Sequence, residues 1–365
     1  MRGFDISKLL GRQPRQLDMG PAGAALKGAV VLVTGAGGSI GSELCLELAA
    51  LGCKRIVALD HSDHALIDAI DGVRRLYPTA DIQDVLCDVR DSQRLKACMA
   101  RARPDVVIHA AALKHVHMGD RHPAESVLTN LVGVRNAVEA SAHAGVGRFL
   151  LVSSDKAAEP GSVMGACKRL AELYVQGCGR TLAERGVAMQ LMSVRFGNVF
   201  GSAGSVAPIF ARQIAEGVPL TVTHPDMRRY FMTIQEAVQL ILLVCAKKDA
   251  RRSACYLLDM GDEVRIVDLA RRMIAQAGVD LDIVTTRVRE GEKLNEQLFD
   301  EFEVVEPSSI EGVSRITPAS TDMEISAQEI SELERTAHTV SDEVVRHRVL
   351  ALLDSRLQQA VPGVG

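Results

Sequence analysis

The sequence predicts an α/β fold, a doubly wound parallel sheet with helices on both faces and a smaller C-terminal domain. Three observations predict it. From Gly28 onward, short apolar, β-branched runs alternate with longer stretches of helical periodicity, the rhythm of a parallel sheet with right-handed crossovers. Gly35, Gly38 and Gly41 stand at three-residue intervals between the first strand and the first helix, which is the Rossmann-type arrangement. Beyond Phe196 the rhythm breaks and glycine and proline cluster in FGNVFGSAGSVAP.

The elements follow in order. Residues 1–27 read as an arm with a short amphipathic stretch, Ile6 to Leu10. Ala29 to Thr34 (AVVLVT) is a continuous apolar run, as a strand buried on both faces requires. The helix over 40–51 sets Ile40, Leu44, Leu48 and Leu51 on one face. A second strand, 55–59 (RIVAL), closes on Asp60. Helices are then predicted at 63–76, 92–102, 123–143 and 163–185, and strands at 82–87, 106–109, 149–153 and 188–194. The doubly wound domain therefore spans 28–205 plus about 230–260, and the smaller domain about 206–229 and 261–320. Residues 321–365 read as a helical tail ending in a disordered VPGVG.

Composition narrows the function classes. Hydrophobic residues at 47% and charged residues at 24% suit a globular protein with a large core. A net charge of −4 without a long basic run argues against nucleic acid or an anionic membrane surface as partner. Tryptophan is absent and aromatics are 3%, so base-stacking platforms are not expected. The eight cysteines lack C-x-x-C spacing and read as reduced thiols, neither disulfides nor zinc ligands. His115, His117 and His122 lie in a predicted loop without a partnering cysteine or carboxylate cluster, and no metal site is assigned. Residues 1–18 hold no apolar signal region, and the longest apolar helical run, 237–246, is too short to span a bilayer. A cytoplasmic enzyme is expected.

The glycine segment specifies a ligand. Gly35, Gly38, Ser39, Ile40 and Gly41 join a strand to a helix whose N-terminus would face a pyrophosphate. Asp60, at the end of the second strand, is placed to bind both ribose hydroxyls of an adenosine, or to cap the helix that starts near Ser62. No arginine or lysine follows before Arg74, so the cofactor predicted is NAD rather than NADP.

The most informative segment is LLVSSDKAAEPGSVMGACK, Leu150 to Lys168. An Asp155-Lys156 pair closes a predicted strand, at the edge where open α/β sheets bind ligands. Taken with TGAGGSIGSELC, HAAALKHV, TNLVGVRNA, VRFGNVFGSAGSVAPIF, RRYFMTIQEAVQL and GEKLNEQL, in that order, it resembles the bacterial polysaccharide-biosynthesis group of UDP-N-acetylglucosamine 4,6-dehydratases, within the extended short-chain dehydrogenases. The resemblance covers roughly 28–300. KLLGRQPRQLD is also similar to the linker before the catalytic domain of membrane-linked members. The chain is therefore expected to be either a soluble member or an excised catalytic domain.

The resemblance implies the chemistry. Water leaves across C5 and C6 only after C4 is oxidised, and the hydride taken from C4 returns to C6. Lys156 is implied as the base at C5, Asp155 as the acid at C6, Ser154 as the hydroxyl holding the C4 oxygen, and Lys168 as the contact to the nicotinamide ribose and a neighbouring positive charge for Lys156. Relatives carry tyrosine where this chain has Met164, a side chain that moves no proton. The C4 proton then falls to Asp155 or Lys156. Further cofactor contacts are implied at Asp88, Val89, Ala110, Ala111, Ala112 and Asn130. Substrate contacts are implied at Lys114 and Asn198, with Arg229, Arg289 and Glu292 at the UDP end. The family usually has proline at His117, proline at Glu290 and tyrosine at Asn295, so those loops depart from its pattern. The methionine points to the C5-retaining branch. Pairing through the helices near 123–143 and 163–185, as a homodimer or larger assembly, is expected. A UDP-sugar 4-epimerase and a non-catalytic nucleotide-sugar-binding protein are the competing readings.

Overall fold

The computed structural model describes residues 3–247, 252–289, 291–318, 320 and 323–359. The expected VPGVG terminus lies outside them. Strands β1 (Val30–Thr34), β2 (Arg55–Asp60), β3 (Ile82–Leu86), β4 (Val106–His109), β5 (Arg148–Val152) and β6 (Gln190–Arg195) fall where the apolar runs predict. Next come β7 (Asn198–Phe200), β8 (Leu220–Val222), β9 (Arg228–Thr233), β10 (Ser253–Leu258), β11 (Glu263–Arg265), β12 (Ile283–Thr285), β13 (Glu303–Pro307) and β14 (Val313–Pro318).

Nine strands form the main sheet in the order β13-β14-β10-β6-β5-β4-β1-β2-β3. From β10 to β3 every pairing is parallel, while β14 and β13 add antiparallel. Side chains alternate between the faces as the pleat demands. Val31, Val33, Leu150 and Val152 enter one core with the helices Ser39–Ala50 and Ile234–Ala246. Leu32, Phe149 and Leu151 enter the other with Val163–Glu184. Strand order reverses between β1 and β4, and a ligand crevice opens outside the carboxyl ends of strands at such a point.

The sequence division of the chain changes in four places. Residues 303–318, expected with the smaller domain, extend the main sheet because β14 pairs with β10. Of the returning segment near 230–260, only β10 joins the main sheet; β9 pairs with β7 and β11. The smaller core, built on Phe210, Phe231, Leu269 and Met273, also buries Leu9 of the arm. The tail is not peripheral either: Ile330, Leu333, Val345, Val349 and Leu353, on the helices Ala327–Thr339 and Asp342–Gln358, are buried in the second core. These helices pack on Val163–Glu184 and Pro123–Val127, so part of the face expected to meet a second copy is filled from within the chain.

The predicted helix 123–143 is interrupted by a π-helical turn, Leu128–Val132, before Gly133–His143. The loop carrying the three histidines contains a helical turn, Val116–Arg121. All eight cysteines are free thiols. No helix among the described residues is long and apolar enough to cross a membrane.

Candidate active site

Two adjoining cavities of about 340 and 430 Å³ run along the carboxyl ends of the strands and share Gly35, Gly38, Ala110 and Ala112. A larger one of about 830 Å³ lies between Gly133–His143, Val163–Glu184 and residues 324–329. None of the residues singled out in the sequence lines it, so size does not mark the chemistry here.

The first cavity is a cradle of backbone. Gly35 has φ +67°, and a Cβ there would stand 2.6 Å from the Ala111 nitrogen; one on Gly41 would stand 2.0 Å from the Gly35 oxygen. No other residue fits these two places. Gly38 begins Ser39–Ala50 without a side-chain cap, which leaves helix N–H groups free for an anion. Asp60 Oδ2 accepts from the Gly37 N–H at 2.9 Å and Oδ1 from the Ser62 N–H at 3.0 Å. Asp60, Asp88 and Val89 line this end. Burial pushes the Asp88 carboxyl up, but hydrogen bonds and charge from Arg90 outweigh it and hold it below the usual range.

Asn130 contributes differently from expectation. It is buried, its Oδ1 accepts from the Leu113 N–H at 2.8 Å, and its Nδ2 donates to the Leu113 oxygen at 2.9 Å. Both ends of its amide are spent fixing the loop after β4, so it shapes the cavity wall and leaves contact to Ala110, Ala111 and Ala112. The same accounting explains the π-helical turn, which sets Asn130 against this loop.

The second cavity holds the titratable groups. Ser154, Lys156, Met164, Lys168, Lys114 and Asn198 line it, as do Ser39, Ile40 and Gly41. β5 ends at Val152, and a 3₁₀ turn, Asp155–Ala157, follows. Asp155 is fully buried and lies beneath the floor. Its Oδ1 accepts from Ser154 Oγ at 2.9 Å and from Lys156 Nζ at 2.7 Å, while Oδ2 is buried without a hydrogen-bond partner. Lys168 is buried and donates to the Val152 oxygen at 3.1 Å; burial lowers its pKa to about 8, against the opposing pull of Glu172 and Cys167. Asn198 Nδ2 donates to the Tyr230 oxygen at 3.3 Å, and Lys114 Nζ to the Ala203 oxygen. Burial pushes the Lys114 ammonium below its ordinary range.

A strap formed by residues 291–303 crosses this region. Lys293 pairs with Glu159, and Asp300 Oδ1 accepts from the Glu159 N–H at 2.6 Å. Arg229, expected at the UDP end, instead holds the strap: it donates to the oxygens of Leu294 at 3.0 Å and Lys293 at 2.8 Å and pairs with Glu292 at 3.6 Å. Arg229 and Glu292 are thus committed to each other. Arg289 is exposed, and its charge, with burial first and Lys114 and His117 also acting, depresses the His115 imidazole. Lys156 also departs from expectation: its ion-pair partners are carboxylates, Asp155 and, at 3.8 Å, Glu296. Glu296 and the cavity-lining His115 are the residues that sequence reasoning missed. Glu296 stood inside a quoted motif, but nothing local marks it as a neighbour of Lys156.

Comparison with known proteins agrees with this architecture. Residues 31–318 match the family described as polysaccharide biosynthesis protein. The chain is 42% identical over 310 residues to the probable polysaccharide biosynthesis protein EpsC of Bacillus subtilis, covering 83% of this chain and 50% of that one. It therefore spans about half the length of that curated relative. It is 29% identical over 277 residues to the inverting UDP-N-acetylglucosamine 4,6-dehydratase of Campylobacter jejuni, covering 73% and 76%. The X-ray structure of Pen from Bacillus thuringiensis superposes with a TM-score of 0.74 at 26% identity, covering 90% and 98%. A dTDP-glucose 4,6-dehydratase mutant, DesIV from Streptomyces venezuelae, with NAD bound, shares the fold at TM-score 0.63 and 22% identity, covering 73% and 87%.

Proposed function

The chain belongs to the polysaccharide biosynthesis protein family, and from that premise we propose that it is an NAD-dependent UDP-N-acetylglucosamine 4,6-dehydratase, retaining at C5, making a UDP-2-acetamido-2,6-dideoxy-4-keto-hexose. The observation that carries the reading is the hydrogen-bonded unit of Ser154, Asp155 and Lys156 beside a residue, Met164, that moves no proton.

The cofactor fits the backbone cradle: a side chain at Gly35 or Gly41 would fill the space, and Asp60 closes the adenosine end. NAD, when bound, supplies the hydride acceptor for C4 and the donor for C6. The protein's own groups handle the protons. Ser154 Oγ holds the C4 oxygen and passes the C4 hydroxyl proton to the Asp155 carboxylate that it already faces. Lys156, neutral when it acts, removes the C5 proton, made acidic by the C4 ketone. Asp155 then returns its proton through Ser154 to the departing C6 hydroxyl. The proton lost at C4 leaves in the water molecule, and Lys156 returns its own to C5. One carboxyl thus serves oxidation and elimination, and a tyrosine at 164 is unnecessary. Such positioned groups contribute roughly 10²- to 10⁴-fold each.

Lys168 supports the nicotinamide ribose from the opposite wall, with Lys114 and Asn198 on the sugar side. Incubation with UDP-N-acetylglucosamine in D₂O, followed by proton NMR, tests the reading. A 4-keto-6-deoxy sugar carrying deuterium at C5 is expected. The UDP-N-acetylgalactosamine epimer without C5 deuterium, or no conversion, overturns it.

A further inference from the structure

We propose that Glu296 is the positioning residue for Lys156, reaching it from the strap of residues 291–303; the inference rests on Lys156 being the C5 base. Glu296 is nearly buried, with 7% of its surface exposed. Its Oε1 stands 3.8 Å from Lys156 Nζ and 3.8 Å from Arg229 Nη2. A carboxylate is costly to bury unless it is paired, and these two cations are its ion-pair partners. Lys156 Nζ is therefore held between two carboxylates on different elements, Asp155 from its own turn at 2.7 Å and Glu296 from the strap. The other titratable groups facing this point are Arg229 and Tyr230 on β9 and Lys168 on Val163–Glu184.

The arrangement has a consequence for the base. Asp155 alone would fix the flexible four-carbon side chain from one side. Glu296 adds a second contact from a different element, which sets where Nζ stands at the wall of the cavity that Lys156 lines. The strap that brings Glu296 is tethered on both sides of it, by Arg229 to the oxygens of Lys293 and Leu294 and by Asp300 to the Glu159 N–H. Placement of Lys156 thus depends on the strap as well as on its own turn.

The test uses the whole chain loaded with NAD and two variants, Glu296→Gln and Glu296→Asp. Three readouts are taken on the same samples: reduction of the bound nicotinamide at 340 nm, C5 hydrogen exchange into D₂O, and the pH dependence of that exchange. Glu296→Gln is expected to leave nicotinamide reduction within about twofold, which also reports a folded, loaded protein, and to lower plateau exchange ten- to a hundredfold, as a small misplacement of a reacting group does. Loss of a negative charge beside Lys156 is expected to move the rising limb of exchange to lower pH. Glu296→Asp keeps the charge, so the limb stays near its wild-type position while the plateau remains low. A plateau loss with an unmoved limb in Glu296→Gln, an unchanged exchange rate, or equal loss of nicotinamide reduction overturns the positioning role. If the wild-type chain gives no 4-keto product, the function reading itself has failed, an outcome separate from these.

Discussion

Two clusters of opposite charges hang from the same strap, and they differ in how completely they are enclosed. Around Glu303, Arg169 lies at 2.5 Å and Arg195 at 2.8 Å; Glu172 meets Arg195 at 2.7 Å, and Asp300 meets Arg169 at 3.1 Å. All of these side chains are at most 2% exposed. Around Lys156 the contacts are one short bond to Asp155 and one at 3.8 Å to Glu296, with Asp155 Oδ2 left unpaired and the lysine open to the cleft. The first cluster fixes helix Val163–Glu184, β6 and β13 together. Both contain buried atoms without a hydrogen-bond partner, Arg169 Nε and Nη2 and Asp300 Oδ2 in the first and Asp155 Oδ2 in the second, so what separates them is that Lys156 lines a cavity. Mutually paired, enclosed charge holds a fold, whereas a charged group lining a cavity at a strand end is available for chemistry.

The contrast predicts opposite outcomes for substitutions in the two clusters. Lys156→Arg keeps a cation beside the buried Asp155 but cannot act as a neutral base, so turnover should fall by about 10²- to 10⁴-fold while thermal unfolding stays within about 2 °C of wild type; a large fall in Tm would place Lys156 in the structural class. Glu303→Ala should do the reverse, destabilising the protein by about 3–5 kcal/mol because it leaves two buried guanidiniums, Arg169 and Arg195, one carboxylate short, as read by urea denaturation.

Acid should separate the clusters further. Burial pushes the Glu303 carboxyl up, but Arg169 and Arg195 outweigh it and hold it at about 2, against an ordinary 4.5. A lowered carboxyl stabilises the fold fully above its unfolded value and loses that contribution as pH falls through the folded one. Wild type should therefore lose stability between about pH 4.5 and 2, and Glu303→Gln should show a flatter profile over that window.

The smallest effect concerns Lys168, lowered by burial to about 8 from 10.5. Its buried charge opposes folding below pH 8, and the cost is relieved as pH rises toward 10. Without cofactor, Lys168→Met should be more stable than wild type by about 2 °C at pH 7, with the gap closing by pH 10.

The parts legible in the sequence are those whose causes are local. The glycines that permit close backbone approach, Asp60 at a strand end and the Ser154-to-Lys168 spacing were all readable, because each depends on a few neighbouring residues. Side-chain partners across long separations were not. Arg229 looked like a substrate contact until Lys293 and Leu294 claimed its guanidinium. Asn130 looked like a cofactor contact until both ends of its amide met Leu113. β13 and β14 carry no signal that they extend the main sheet, since their pairing with β10 depends on the intervening fold. Glu296 became visible only once the strap placed it beside Lys156.

The central claim is that proton chemistry resides at 154–156 and has left position 164. Single-turnover reduction of bound nicotinamide, followed at 340 nm after mixing with UDP-N-acetylglucosamine, tests it most directly in Ser154→Ala and Met164→Leu. Ser154→Ala should lose reduction by about 10²-fold or more, while Met164→Leu, a substitution of similar volume in a buried site, keeps it within a few-fold. Reduction surviving in Ser154→Ala and vanishing in Met164→Leu would contradict the account.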